Sequence, residues 1–281
     1  VVGYTGNCGN ISSAAGPFAV DEGLVRPQAD QAVVRIHNTN TSKIIVARFP
    51  VENGKAAVRG DFVLQGVAGT GAPIRLAFQD PGGAATGRLL PTGNARDRLE
   101  IPGLGPVEVS LVDAANPVVF VAAETLGITA AESQAALAAD QKLVARAEDI
   151  RVQAAVAMGL AADEAAARTR MRNMPLVAVV APPVQQDSHV LARFVSSGQP
   201  HKASPLTAAM CLAVAAHIPG SVVQACARLP AEGADLVVAH PSGLLPVAAR
   251  IRLAGNAVIA EEAVVYRTAR RLMQGQVLLP G

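Results

Sequence analysis

The chain has 281 residues, 51% of them hydrophobic and 16% charged, with a formal net charge of +2. That length implies one or two domains with a core of ordinary size, and the apolar content excludes disorder as its overall state. The positive charge is too small and too evenly spread for a nucleic-acid surface, and 3% aromatics with no Trp leave no platform for stacking bases.

No apolar run reaches eighteen residues, so no membrane span is expected, and nothing reads as a signal peptide. Three cysteines in a chain this long do not make a disulfide framework, and no pair of Cys or His stands at a usual metal-ligand spacing. The expectation is a protein of the reducing cytoplasm, without a metal site.

Val1 to Tyr4 already read as a strand running straight into a Gly-rich turn; the plain reading is a trimmed terminus, the sharper one a sizeable N-terminal piece ahead of them. Gly6-Asn7-Cys8-Gly9-Asn10 is a polar turn opening a buried helix over 11–20, with Pro17 as a candidate kink and Gly23 as a C-cap. From Ala32 to Phe78 the period falls to two: Val34, Ile36 and Asn38 share a face, and Asn53-Gly54 marks a hairpin turn. Further strands are expected over 62–67 and 74–78. The Gly-, Pro- and Thr-rich stretch 80–94 is taken as a boundary, giving domains 1–88 and 89–281. The first is expected to be incomplete, with unpaired strand edges.

Strands resume at 99–101, 107–112 and 118–122. Thr129-Ala130-Ala131-Glu132 has the capping-box pattern ahead of a long helical region over 133–158, with another helix over 163–170. Short strands at 176–180 and 190–195 follow. Ser204-Pro205-Leu206-Thr207 then opens a second small-residue helix over 208–216, with strands at 236–239, 247–253, 257–259 and 264–268 after it. The half with Cys8 and the half with Thr207 thus repeat one plan. The fold class is α+β, each half a mostly antiparallel sheet around one apolar helix, with the natural site in the cleft between halves.

Cys8 is the leading acid/base candidate. At a helix start, free N–H groups and the macrodipole favour a thiolate, and the same groups hold a carboxylate. The alternative is a small cysteine that only packs, which is the reading for Cys211 and Cys226 in their Ala-rich surroundings. Asn7, Gly9 and Asn10 frame the thiol, with local capping as the plainer role. Ser204 and Thr207 open the second helix, where Thr207 is either a donor to substrate or a cap. His201 and Lys202 lie just before it, placed to bind a carboxylate or simply exposed. Lys43, Arg75 and Arg267 are possible anchors for a polycarboxylate, with a solvated salt bridge as the better single reading of each. Arg270 and Arg271 read as charged surface. His37 is expected to be partly buried, His217 to end a helix and His240 to precede a turn.

The Cys8 motif, with Gly16-Pro17-Phe18-Ala19 and Glu22-Gly23-Leu24-Val25, resembles the PrpF family of methylaconitate and methylitaconate isomerases and oxalomesaconate tautomerases. Asn38-Thr39-Asn40-Thr41, the stretches 69–74 and 89–93, Asp113 to Pro117, and Arg267-Thr268-Ala269-Arg270-Arg271-Leu272-Met273 extend it over nearly the whole chain. The resemblance implies a diaminopimelate-epimerase-like fold of two pseudo-symmetric domains, and a proton shift beside a carboxylate without coenzyme. It also implies a segment ahead of the cysteine motif with a lysine that works with the thiol; that segment is absent from this sequence. Asn116-Pro117 resembles an Asn-Pro that meets substrate in the epimerases, with a plain turn as its alternative. Where the epimerases carry a second cysteine this chain has Pro205, so a one-thiol allylic shift is expected rather than racemisation.

The expected partner is therefore a small unsaturated polycarboxylate, with a homodimer or a partner metabolic enzyme left open. A racemase of the same fold and a non-catalytic accessory protein, or inactive copy, are the rival readings.

Overall fold

The computed structural model describes residues 8–255, 257–276 and 278. The expected opening strand at residues 1–4 lies outside them. Eleven strands form one continuous path. They are β1 (Gln31–Asn38), β2 (Lys43–Glu52), β3 (Ile74–Gln79), β4 (Asp97–Ile101), β5 (Gly105–Ala114), β6 (Asn116–Ala122), β7 (Leu176–Ala181), β8 (Val190–Ser196), β9 (Leu236–His240), β10 (Gly243–Ala254) and β11 (Ala257–Arg267). Their spatial order is β1-β2-β3-β11-β10-β9-β8-β7-β6-β5-β4. Pairing is antiparallel except for β9 with β8 and β7 with β6. Two-residue strands at Lys55–Ala56 and Gln199–Pro200 add to β2 and β8. The helices are α1 (Gly9–Asp21), α2 (Gln134–Ala139), α3 (Gln141–Ala157), α4 (Glu164–Thr169), α5 (Leu206–Ala216) and α6 (Val222–Cys226).

The long second-half strands are apolar at consecutive positions because both faces are covered. Val118, Phe120, Ala178, Val180, Ala192 and Phe194 point to the core around α5. Val119, Val121, Val177 and Val179 point the other way, to Leu143, Ala147, Ile150 and Ala154 of α3. All eleven residues of α5 are buried, so it carries no polar face and is wrapped by the sheet.

α1 is different. It buries Gly9, Ser13, Gly16, Pro17 and Val20 and packs closely on β2: a Cβ on Gly16 would lie 2.8 Å from a Phe49 ring carbon. Ile11 and Phe18 are exposed, so the expected buried helix is buried on one side only.

β11 sits between β3 and β10, so the chain's last strand joins the first-half strands to the second-half sheet. Among the described residues β1 pairs only with β2 and forms one margin of the sheet; β4 forms the other. Asn53 and Gly54 both take positive φ, 51° and 74°, as a tight hairpin turn requires.

Several local expectations need correction. The strand expected over 62–67 shrinks to Phe62–Val63, paired with Thr70–Gly71. The Thr129–Glu132 box does close, with the Glu132 carboxylate accepting from the Thr129 N–H at 2.7 Å, but it closes a turn. Ser133 caps α2 instead, and Asp140 caps α3, so two capping side chains split the long helical region in two. The two strands expected over 257–268 are one, because a bulge at Glu261 of β11, opposite Arg250/Ile251 of β10, absorbs the break in pattern. His37 is exposed, on the same side of β1 as Gln31, Val33 and Arg35.

Candidate functional site

The two central helices start in the same way. Cys8 is the N-cap of α1, at φ −97° and ψ 100°; its carbonyl accepts from the Ser12 N–H at 3.1 Å, the first bond of the helix. Its side chain makes no capping hydrogen bond and is exposed, so the thiol is accessible at the end of the helix where N–H groups are free. Pro205 is the N-cap of α5, at φ −58° and ψ 131°, and brings no ionisable group.

The helix starts touch. Gly9, the first residue of α1, lies against Leu206, the first of α5. A Cβ on Gly9 would sit 2.5 Å from Leu206 Cδ2 and 3.1 Å from its Cβ and Cγ. Only the absence of a side chain at Gly9 permits that approach.

Around this contact lie polar groups from other elements. Asn116, the first residue of β6, donates its side-chain amide to Thr207 Oγ1 at 2.8 Å. Thr207 is buried and is not a helix cap. Ser204 is 6% exposed, and its buried Oγ has no hydrogen-bond partner among the described residues. Asn10 accepts at Oδ1 from the Arg267 Nε, 3.1 Å away, bringing the end of β11 to the first turn of α1.

A loop of the first half reaches the same region. The Leu244 N–H at the β9–β10 turn donates to Gln65 Oε1 at 2.5 Å, and Ser242 Oγ donates to the Lys202 carbonyl, also at 2.5 Å. His240, in the same hairpin, is buried, and its imidazole is pushed down to about 4 by burial, with the Arg193 and Arg267 charges adding to it.

Of the residues expected at the site, Cys8, Gly9, Asn10, Asn116, Ser204 and Thr207 gather at the paired helix starts. Asn7 lies outside the described residues. His201 is turned away to local work: its Nε2 is 2.7 Å from Ser196 Oγ, and burial lowers its pKa. Lys202 is exposed, and its carbonyl is what the hairpin holds.

The possible anchors divide. Arg75 pairs with Glu262 at 3.3 Å, and Lys43 donates to the Gly82 carbonyl at 2.9 Å. Neither Lys43 nor Arg267 has a carboxylate partner among the described residues, so the salt-bridge expectation holds for Arg75 alone. His240 and the Arg267–Asn10 contact were not legible in the sequence, since 257 positions separate the latter pair. Cys211 is fully buried on α5, its thiol donating to the Val112 carbonyl at 3.4 Å and its pKa raised by burial, which makes it a packing residue. A surface concavity of about 430 Å³ lies elsewhere, between α1 and residues 269–275, where Arg271 pairs with Glu22.

A mixed sheet wound round one buried helix, with a second helix meeting it start to start, defines an α+β fold of the diaminopimelate-epimerase kind. A probable proline racemase from Agrobacterium radiobacter K84 shares that fold, with TM-score 0.56 at 12% identity over 98% of this chain and 68% of that one. The family model "PrpF protein" matches residues 1–280, and the chain belongs to that family.

The 3-methylitaconate isomerase of Eubacterium barkeri is 39% identical over 99% of this chain and 75% of its own length. The 2-methyl-aconitate isomerase of Cupriavidus necator is 37% identical over 100% of this chain and 75% of its own. The solved structure of methylitaconate-delta-isomerase superposes with TM-score 0.88 at 38% identity, covering 99% of this chain and 73% of that one.

Proposed function

We propose that this chain is an isomerase that moves a carbon–carbon double bond in a small unsaturated di- or tricarboxylate by an allylic proton shift. The observation that carries the reading is the asymmetry of the two caps: an exposed, unengaged thiol at the start of α1, and a proline at the start of α5. Racemisation needs a donor and an acceptor on opposite faces of one carbon. A 1,3-shift needs a proton removed at one carbon and returned two carbons away.

In the reaction a base takes a proton from the carbon beside the double bond. The C–H electron pair becomes the new double bond, and the old π pair passes into the adjacent carboxylate as a dienolate. A proton then returns to the far carbon, so the formula is unchanged and no oxidant, reductant or coenzyme is consumed. Cys8 is one of the two proton-transfer groups. The N–H groups at the helix starts, with Asn116 and Thr207, stabilise the dienolate charge.

The same reading makes residues 1–88 and 89–281 the two units that meet at this site. It also places the protein in a reducing cytoplasm, consistent with three free cysteines. No helix of the described residues is long and apolar enough to cross a membrane.

Proton NMR in heavy water, with unsaturated tricarboxylates and a panel of L-amino acids, tests this. The expected result is double-bond migration with deuterium entering the carboxylates alone. Deuterium at an amino-acid α-carbon and none in the carboxylates overturns it; uptake by neither points to an accessory protein.

A further inference from the structure

Arg151 shows how a buried arginine is fully served in this protein. Arg151, 1% exposed, bonds both Glu148 oxygens and the carbonyls of Ala167, Met171 and Met174. Arg193, 6% exposed, donates from Nε and Nη1 to the carbonyls of Glu132, Ala192 and Ala239, and has the Glu132 charge nearby to balance its own.

Arg267 is half-buried and, unlike both, has no carboxylate beside it among the described residues. Its Nε donates to Asn10 Oδ1 at 3.1 Å and Nη1 to the Tyr266 carbonyl at 3.0 Å. Nη2 has no partner among the described residues. Burial lowers its pKa only to about 10, so it is a cation at neutral pH.

Its surroundings add to the imbalance. Asn10 is in the first turn of α1, so the guanidinium stands beside the positive end of a helix. The nearby His240 stays neutral. A partly desolvated cation without a counter-ion, next to a second positive pole, is an arrangement that an anion completes. The planar fork of a guanidinium suits a carboxylate.

We propose that Arg267, held in aim by Asn10, binds the substrate carboxylate remote from the migrating double bond, and so selects polycarboxylates over monocarboxylates. This rests on the isomerase reading above. Arg267 would hold one end of the molecule while Cys8, two residues before Asn10, works at the other. Fixing both ends aligns the allylic carbon with the thiol.

The test pairs a charge change on the protein with one on the substrate. The protein, Arg267→Gln and Arg267→Lys are assayed with an unsaturated tricarboxylate and with its remote-carboxylate methyl ester. Binding of the unreactive propane-1,2,3-tricarboxylate is measured alongside by calorimetry. Arg267→Gln should raise KM for the tricarboxylate roughly 10- to 100-fold, the loss of a charge-assisted hydrogen-bond pair. It should change kcat little and leave KM for the ester nearly unaltered. Arg267→Lys, which keeps the charge and loses the fork, should fall between, and it serves if the Gln variant does not fold. Arg75→Gln, a cation paired outside the site, should behave as the unaltered protein.

Equal KM changes for acid and ester, or no change for either, overturn the proposal. If the unaltered protein turns over no unsaturated carboxylate, the isomerase reading fails instead. Calorimetry then decides the anion site alone: weaker binding to Arg267→Gln upholds it, and equal binding refutes it.

Discussion

Replacing Gly9 by alanine tests the contact between the two helix starts. The added Cβ would meet Leu206 Cδ2 at 2.5 Å, where ordinary contact begins at 3.4 Å. A rotamer change moves Cδ2 away, but Leu206 Cβ and Cγ, both at 3.1 Å, stay in the way. The start of α1 therefore shifts from α5 by something between a few tenths of an ångström and about 0.9 Å, the gap between 2.5 and 3.4 Å. Overpacking of this kind costs roughly 1–3 kcal/mol, a fall in Tm of about 2–10 °C for a chain of this size. Cys8 precedes Gly9 and moves with it, and a misplacement near 1 Å reduces turnover on the order of 10²-fold. Gly9→Ala should thus lose turnover out of proportion to stability. Gly9→Ala/Leu206→Ala, which removes Cγ and Cδ2, should recover part of kcat although it leaves a cavity. Steady-state kinetics and thermal unfolding of the three variants read this out. Unchanged kcat in Gly9→Ala refutes the close approach; lost kcat that the second substitution fails to restore refutes the steric explanation.

Cys8→Ser should cut turnover by about 10²–10⁴-fold, since a serine hydroxyl is a poor acid/base at neutral pH, while Tm stays put because the exposed thiol caps nothing. Heavy-water NMR and a melting curve check both. Cys211→Ser should keep kcat and lose about 1–3 kcal/mol, or less if the hydroxyl keeps the bond to the Val112 carbonyl, as denaturant titration would show. Thr207→Val should leave the half-buried Asn116 amide without its partner, costing roughly 1–3 kcal/mol and raising KM. His240, at about 4 when folded against 6.5 in its reference state, makes the unfolded chain the better proton binder between those values. Stability is therefore whole above pH 6.5 and eroded as pH falls toward 4, by on the order of 2 kcal/mol after allowing for partial solvation. His240→Asn should lose that part of the acid sensitivity, measured as the denaturation midpoint at pH 7.5 and 4.5.

The elements most legible in the sequence are those whose local and tertiary demands agree. Polar turns before Ala-rich runs mark α1 and α5, and the Asn53-Gly54 hairpin adopts the positive φ its residues favour. Legibility fails where one signal has two outcomes. The Thr129–Glu132 box describes a hydrogen-bond pattern that a turn satisfies as well as a helix. The break in apolar pattern near 260 reads as a loop, yet it is a bulge: Glu261 of β11 is the extra residue between the Arg250–Glu262 and Ile251–Ala260 pairs, and the strand continues through it. Helix α1 looks like α5 in composition, but exposed Ile11 and Phe18 show that composition does not say how many sides of a helix are covered.

The site divides along the same line. Groups belonging to the helix starts, such as Cys8 and Thr207, are placed by local sequence, because a cap position follows from a turn and a run of helix formers. Charged groups are not. His201 and Lys202 stand close to α5 in sequence, and nearness suggests a role there, but the His201 imidazole is met by Ser196, five residues back in the neighbouring strand. Arg267 is remote from Asn10 in sequence and reaches it because β11 passes between β3 and β10 and ends at the first turn of α1. Whether an arginine is spent on a carboxylate or left free is a property of that crossing. Arg75 lies one strand over on β3 and finds Glu262 on β11; Arg267, five residues further along β11, finds only neutral acceptors. The sheet order, more than the residue type, makes one cation structural and leaves the other for an anion.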